Sequence, residues 1–198
     1  MKIDHSLPYE YQTEENQLKV LGFWIFLGAE IMLFATLFAS YFTLADRTGT
    51  GPSGAEIFEI TPVLIETVVL LTSSFTIGLA VHAMRINRKK AMLAFLGITL
   101  ILGMAFLAVE IYEFVHYVHI GAGLQTSAFT SILLTTLGTH GAHVTFGLFW
   151  GLAIFIQVIK RGLTHETGNK AFIFSLYWHF LDVVWIFIFS FIYLKGMM

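Results

Sequence analysis

The chain has 198 residues, of which 57% are hydrophobic and only 12% charged, with a formal net charge of -2. A water-soluble domain carries roughly 25% charged residues, so a soluble core is excluded and an integral membrane protein is indicated. The net charge argues against nucleic-acid binding, which needs a basic face, and the lack of cysteine excludes Fe–S clusters, c-type haem attachment and thiolate metal sites built from this chain alone.

The first residues carry Asp4, Glu10, Glu14 and Glu15 and lack the basic n-region and short h-region of a secretory signal. Five apolar runs follow, at about 20–44, 62–84, 91–119, 131–159 and 171–194, each long enough to cross a bilayer. Lipid forces backbone groups to pair internally, so these runs are expected as helices, and the fold class is all-α: a single polytopic membrane domain over residues 1–198. Thr61-Pro62 predicts the start of the second helix. The longest connection, 45–61, holds Gly49, Gly51, Pro52 and Gly54 as breakers.

Lys2, Lys19, Arg85, Arg88, Lys89, Lys90, Lys160, Arg161 and Lys170 fall on one side of this topology, with only Arg47 and Lys195 on the other. The positive-inside rule then puts the N-terminus in the cytoplasm and the C-terminus outside. Gly147-x-x-x-Gly151 reads as a close-approach motif, extended by Thr135, Gly138, Thr139 and Ala142.

Polar residues inside the runs are the candidates for function, because intramembrane charge is rarely placed without a partner or a purpose. At about 1.5 Å of rise per residue, Glu30, His143 and Asp182 lie roughly 15–18 Å deep, near one level, and are expected to form one network if their helices face each other. Trp178 and Trp185 share a stripe with Asp182, so their indole N–H groups are candidate donors to it. On the third helix Glu110, Glu113, His116 and His119 recur every third residue and fan over half the circumference. They read either as a wet helix end or, through Glu113 and His116, as one element of a di-metal site, which would need a second such element. His140, His143 and His179, with His82, are the candidates for bis-His haem ligation. His5 and His165 read as solvated surface groups, and Glu66 as a first-turn acid complementing a helix N-terminus. An ion carrier based on Glu30 and Asp182 is a further reading of the same residues.

Gly138-Thr-His-Gly-Ala-His-Val144, Glu110-Ile-Tyr-Glu-Phe-Val-His116, Trp24-Ile-Phe-Leu-Gly-Ala-Glu30 and Tyr177-Trp-His-Phe-Leu-Asp-Val-Val-Trp185, in order along the chain, resemble subunit III of the haem–copper oxidases. Glu66-Thr-Val-Val-Leu-Leu-Thr-Ser-Ser74 is similar to the same family, less distinctively. Leu21-Gly-Phe-Trp-Ile-Phe26, Arg161-Gly-Leu-Thr164 and Phe114-Val-His-Tyr-Val-His119 look most like the five-helix form in the quinol oxidases of Gram-positive bacteria. The resemblance implies an accessory subunit of the bacterial cell membrane, without a redox centre of its own. Haems and copper would sit in subunit I, against which this chain would pack alongside subunits II and IV. It implies bound phospholipid and support of proton uptake for a complex that oxidises quinol, reduces oxygen to water and translocates protons. Glu30 matches the family's carbodiimide-reactive Glu, and Glu110, His140, His143 and Asp182 match its polar positions. With Glu113, His116 and His179 these form the expected lipid or proton network. The alternatives are subunit III of a cytochrome c oxidase and a self-contained haem or di-metal oxidoreductase.

Overall fold

The computed structural model describes residues 7–49 and 51–197; the sequence readings on Lys2, Asp4 and His5 lie outside these. Five long helices, α1 (Glu14–Leu44), α3 (Ile60–Arg85), α4 (Lys89–His119), α5 (Ala128–Arg161) and α6 (His165–Ile188), are joined by short loops, with a one-turn helix α2 (Gly54–Ile57) between the first two. With its π-helical extension Phe189–Leu194, α6 is the fifth of the spans long and apolar enough to cross a membrane.

Each span outruns its apolar run, and in α1, α5 and α6 a polar residue caps the extended start. Thr13 accepts from the Asn16 N–H, Ser127 from Thr130 and Thr164 from Thr167, which satisfies N–H groups that have no partner within their own helix. The second span begins at Ile60, after Glu59, rather than at Thr61-Pro62. Pro62 is then the third helical residue, where the N–H it lacks has no partner within the helix. The expected breaker loop contains a capping box, with the Ser53 N–H donating to Glu56 at 3.0 Å.

In the bundle, α3 pairs with α4, α5 packs on α4 and α6, and α6 touches α1, α3 and α5. The first span is peripheral, packing chiefly on α5 and α6. Its inward positions are Asn16, Val20, Phe23, Leu27, Glu30, Phe34, Leu37, Tyr41 and Leu44. The steps alternate four and three, the 3.5-residue repeat that keeps one narrow seam against its neighbours. Beyond its polar first turns, most of the rest of α1 is apolar and exposed, including Trp24, Ile25, Ile31 and Met32.

Gly147 and Gly151 do face the core, but what they admit is side chain. A Cβ on Gly147 would lie 3.1 Å from rings of both Trp178 and Tyr177, and one on Gly151 would lie 2.7 Å from Phe174 and Leu100. The motif seats the aromatic rings of α6 rather than a helix backbone.

At the end where α1 begins, the chain is clasped. Glu10, fully buried, accepts from Arg85 Nη2 at 2.6 Å and Nε at 2.8 Å. Asn169 donates to the carbonyls of Glu10 and Asn16, and Asn16 donates to those of Tyr9 and His165. These bonds tie the segment before α1 to the end of α3 and the start of α6.

Candidate functional site

The heptad seam of α1 delivers Glu30 to α5, where His143 Nε2 lies 3.1 Å from Glu30 Oε2. His143 Nδ1 is 2.7 Å from the Thr139 carbonyl oxygen, four residues back. A carbonyl only accepts, so Nδ1 carries a proton. The facing atoms then hold one proton between them, as acid on imidazole or as imidazolium on carboxylate. Tyr177 donates to the His143 carbonyl at 2.9 Å, and the Phe34 ring lies 5.3 Å from the imidazole.

Asp182 does not join this pair. It lies on the side of α6 that faces α3, with His179, whose Nδ1 is 2.7 Å from Ser74 Oγ. The expected three-member network is therefore corrected to two separate groups. The indoles do not serve Asp182 either. Trp178 Nε1 donates to Ser73 at 2.9 Å and Trp185 Nε1 to Thr67 at 3.0 Å, both on α3. A shared stripe placed them together, but their rings reach across the helix interface to hydroxyls.

A second polar centre lies between α3, α4 and α5. Glu110 and Glu113, expected at a wet helix end, are 7% and 6% exposed. Glu113 Oε2 accepts from Tyr193 at 2.9 Å and from Tyr117 at 3.4 Å. The π-helical turn that carries Tyr193 ends the last span. Glu110 lies against Gly141, where a Cβ would be 2.7 Å from Oε2. His140 is fully buried, with Phe106 and Trp185 at ring distances of 5.8 and 5.5 Å. Among the described residues neither Glu110 nor His140 has a hydrogen-bond partner for its buried polar atoms. His116 is partly exposed and stacks on Tyr112, while His119 points outward.

Glu66 belongs to this centre, which corrects the first-turn reading. With α3 starting at Ile60, Glu66 lies seven residues in, fully buried and within electrostatic reach of Glu110 and Glu113. The sequence reading also passed over Tyr117, Tyr193, Ser73 and Thr67. A usable signal was the seven-residue spacing of Glu66 with Ser73 and of Thr67 with Ser74, which marks one inward polar face on α3.

Among the described residues no three His, Asp or Glu side chains converge as metal ligands. The histidines proposed for a haem are directed elsewhere: His143 to Glu30, His179 to Ser74, and His140 into aromatic packing.

Comparison with known proteins agrees with this architecture. Residues 11–197 match the family described as Cytochrome c oxidase subunit III. The chain is 58% identical to Quinol oxidase subunit 3 of Bacillus subtilis (strain 168), over 97% of this chain and 94% of that one. It is 50% identical to Cytochrome c oxidase subunit 3 of Bacillus sp. (strain PS3), over 97% and 93%. Against Cytochrome c oxidase subunit 3 of Bacillus subtilis (strain 168) it is 48% identical, over 95% and 91%.

Proposed function

The chain belongs to the cytochrome c oxidase subunit III family, and from that premise we propose that it is the accessory subunit III of a bacterial respiratory quinol oxidase. The observation that carries the choice of donor is a comparison within one organism. The chain is 58% identical to the Bacillus subtilis quinol oxidase subunit and 48% identical to its cytochrome c oxidase counterpart.

In this reading the complex oxidises quinol and reduces oxygen to water at haems and copper held by subunit I, coupled to proton translocation. This chain packs on subunit I, beside subunits II and IV, in the bacterial plasma membrane. The N-terminus and the basic loops face the cytoplasm and the C-terminus faces outside, in keeping with the distribution of Lys and Arg.

The chain's own residues supply scaffold and proton chemistry. Glu30 and His143 share a proton at mid-depth, a geometry suited to exchanging protons without leaving a charge unpaired. Glu110, Glu113, His116, His140, His179 and Asp182 are the other members of the proposed lipid and proton network. The wide apolar surface of α1 suits contact with lipid or with a neighbouring subunit.

The test is purification in mild detergent through a tag on this chain, followed by optical spectroscopy, mass spectrometry and donor assays. The expected result is a haem-bearing assembly that oxidises quinol, while the chain purified alone has no Soret band. A bis-His Soret band on the isolated chain, or oxidation of reduced cytochrome c in place of quinol, would sink the assignment.

A further inference from the structure

Three carboxyls share one region of the bundle. Glu66 on α3 and Glu110 and Glu113 on α4 are all buried and lie within electrostatic reach of one another. Among the described residues no Lys or Arg pairs with them, and both oxygens of Glu66 and of Glu110 are buried without a partner. An ionised carboxylate so placed is far costlier than its acid, because nothing in apolar surroundings replaces its hydration. The three do not converge as metal ligands. The cation they suit is therefore the proton, which each carboxyl binds on its own.

Glu113 differs from the other two because it reaches an opening. With Glu59, Tyr112, His116 and Tyr117 it lines a pocket of about 40 Å³, and a water needs roughly 10–15 Å³. Glu59 is exposed and His116 partly so, which places the mouth at the end of the bundle away from the basic loops. Glu113 Oε2 accepts from Tyr193 and Tyr117, while Oε1 is not sealed as the Glu66 and Glu110 oxygens are. Both tyrosines also lie within electrostatic reach of Glu66. Tyr193 is brought there by the π-helical turn Phe189–Leu194, a distortion frequent at functional sites. From α5, His140 is packed against Phe106 and Trp185.

We propose that Glu66, Glu110 and Glu113 form a proton-binding site that fills and empties through the Glu59–His116 pocket at the outer face, with Glu113 as the relay and Tyr117 and Tyr193 as its bridge to Glu66. The inference rests on the proton role and the orientation proposed above; the part of Glu66 and the outward mouth are new.

Infrared spectroscopy of the purified complex tests it. The acid C=O bands of Glu66 and Glu110 are those missing from Glu66→Gln and Glu110→Gln. They are expected at neutral pH, to shift in D2O, and to shift about a hundredfold more slowly in Glu113→Gln, the scale of losing a positioned proton donor. Bands that are absent in wild type, that never exchange, or that exchange as fast in Glu113→Gln would overturn the site. The mouth is tested separately, because the chain has no cysteine and Tyr112 is 70% exposed. A bulky, membrane-impermeant thiol reagent on Tyr112→Cys, added from the outer face of liposomes, should slow the same exchange. Full labelling with unchanged exchange overturns the outward route, and labelling from the opposite face only overturns the orientation. Should Glu113→Gln fail to accumulate, the plug at position 112 decides alone. A wild-type chain that brings down no partner is a different result: it overturns the assembly reading and leaves the exchange to be read on the chain itself.

Discussion

Glu30 on α1 and His143 on α5, 113 residues apart in sequence, meet at 3.1 Å, with the imidazole oriented by the Thr139 carbonyl. Their side chains are 14% and 21% exposed, so each largely depends on the other for its hydrogen bond. Gln at position 30 retains an amide N–H for Nε2. Glu30→Gln is therefore expected to assemble and to begin turnover near the wild-type rate, as read by initial oxygen consumption. His143→Leu strands the carboxyl at mid-depth and should cost about 2–4 kcal/mol in thermal unfolding of the complex. Equal stability of the two variants would show that the pair is incidental.

The glycines divide by what surrounds them. Gly141→Ala drives a methyl into the Glu110 carboxyl and Gly151→Ala drives one into Phe174; each should destabilise by about 1–3 kcal/mol. Gly28→Ala, with nothing within 4 Å, should be neutral or gain up to about 1 kcal/mol of helix propensity. Urea or thermal unfolding of the three variants in one detergent ranks them.

The two indoles bind α3 hydroxyls, and this separates them from Asp182. Trp185→Phe removes the donor to Thr67 and Trp178→Phe the donor to Ser73. Each is expected to lower stability by about 1–3 kcal/mol, through the lost bond and the smaller ring. Asp182→Asn should leave the indole environments unchanged, which tryptophan fluorescence reads directly. A spectral shift in Asp182→Asn comparable to those of the tryptophan variants would restore the stripe reading.

The Glu10–Arg85 clasp is asymmetric, since Glu10 is fully buried and the Arg85 side chain is 46% exposed. Arg85→Ala leaves a buried carboxyl without its cation. It should cost about 1–2 kcal/mol, reduced from a fully buried pair by solvent around the guanidinium. Hydrogen exchange should quicken first in residues 9–16, the segment the clasp holds. Protection there equal to wild type would mean that Asn16 and Asn169 hold the segment unaided.

Particular residues mark how much of the site was legible. The depth count placed Glu30 and His143 on one level, and they do touch. It placed Asp182 on that level as well, but on the wrong side of α6, because depth fixes height along a helix and not its rotation. Glu66 was misplaced by a helix start two residues late, which turned a buried carboxyl into a first-turn one. Gly147 and Gly151 carried a real packing signal, yet spacing alone does not tell whether a ring or a backbone fills the gap.

The number and order of the spans, their helical form and the presence of buried polar groups were determined by the sequence itself. Run length against bilayer thickness, and the need to pair every backbone group in lipid, leave little freedom there. Rotational phase and partner choice were decided only by the tertiary structure. A membrane helix is apolar on nearly every side, so at most a sparse polar stripe, such as that of Glu66, Thr67, Ser73 and Ser74 on α3, marks which way it turns. Only packing brought Glu30 to His143, Trp178 and Trp185 to Ser73 and Thr67, and Asp182 to the side of α6 that faces α3.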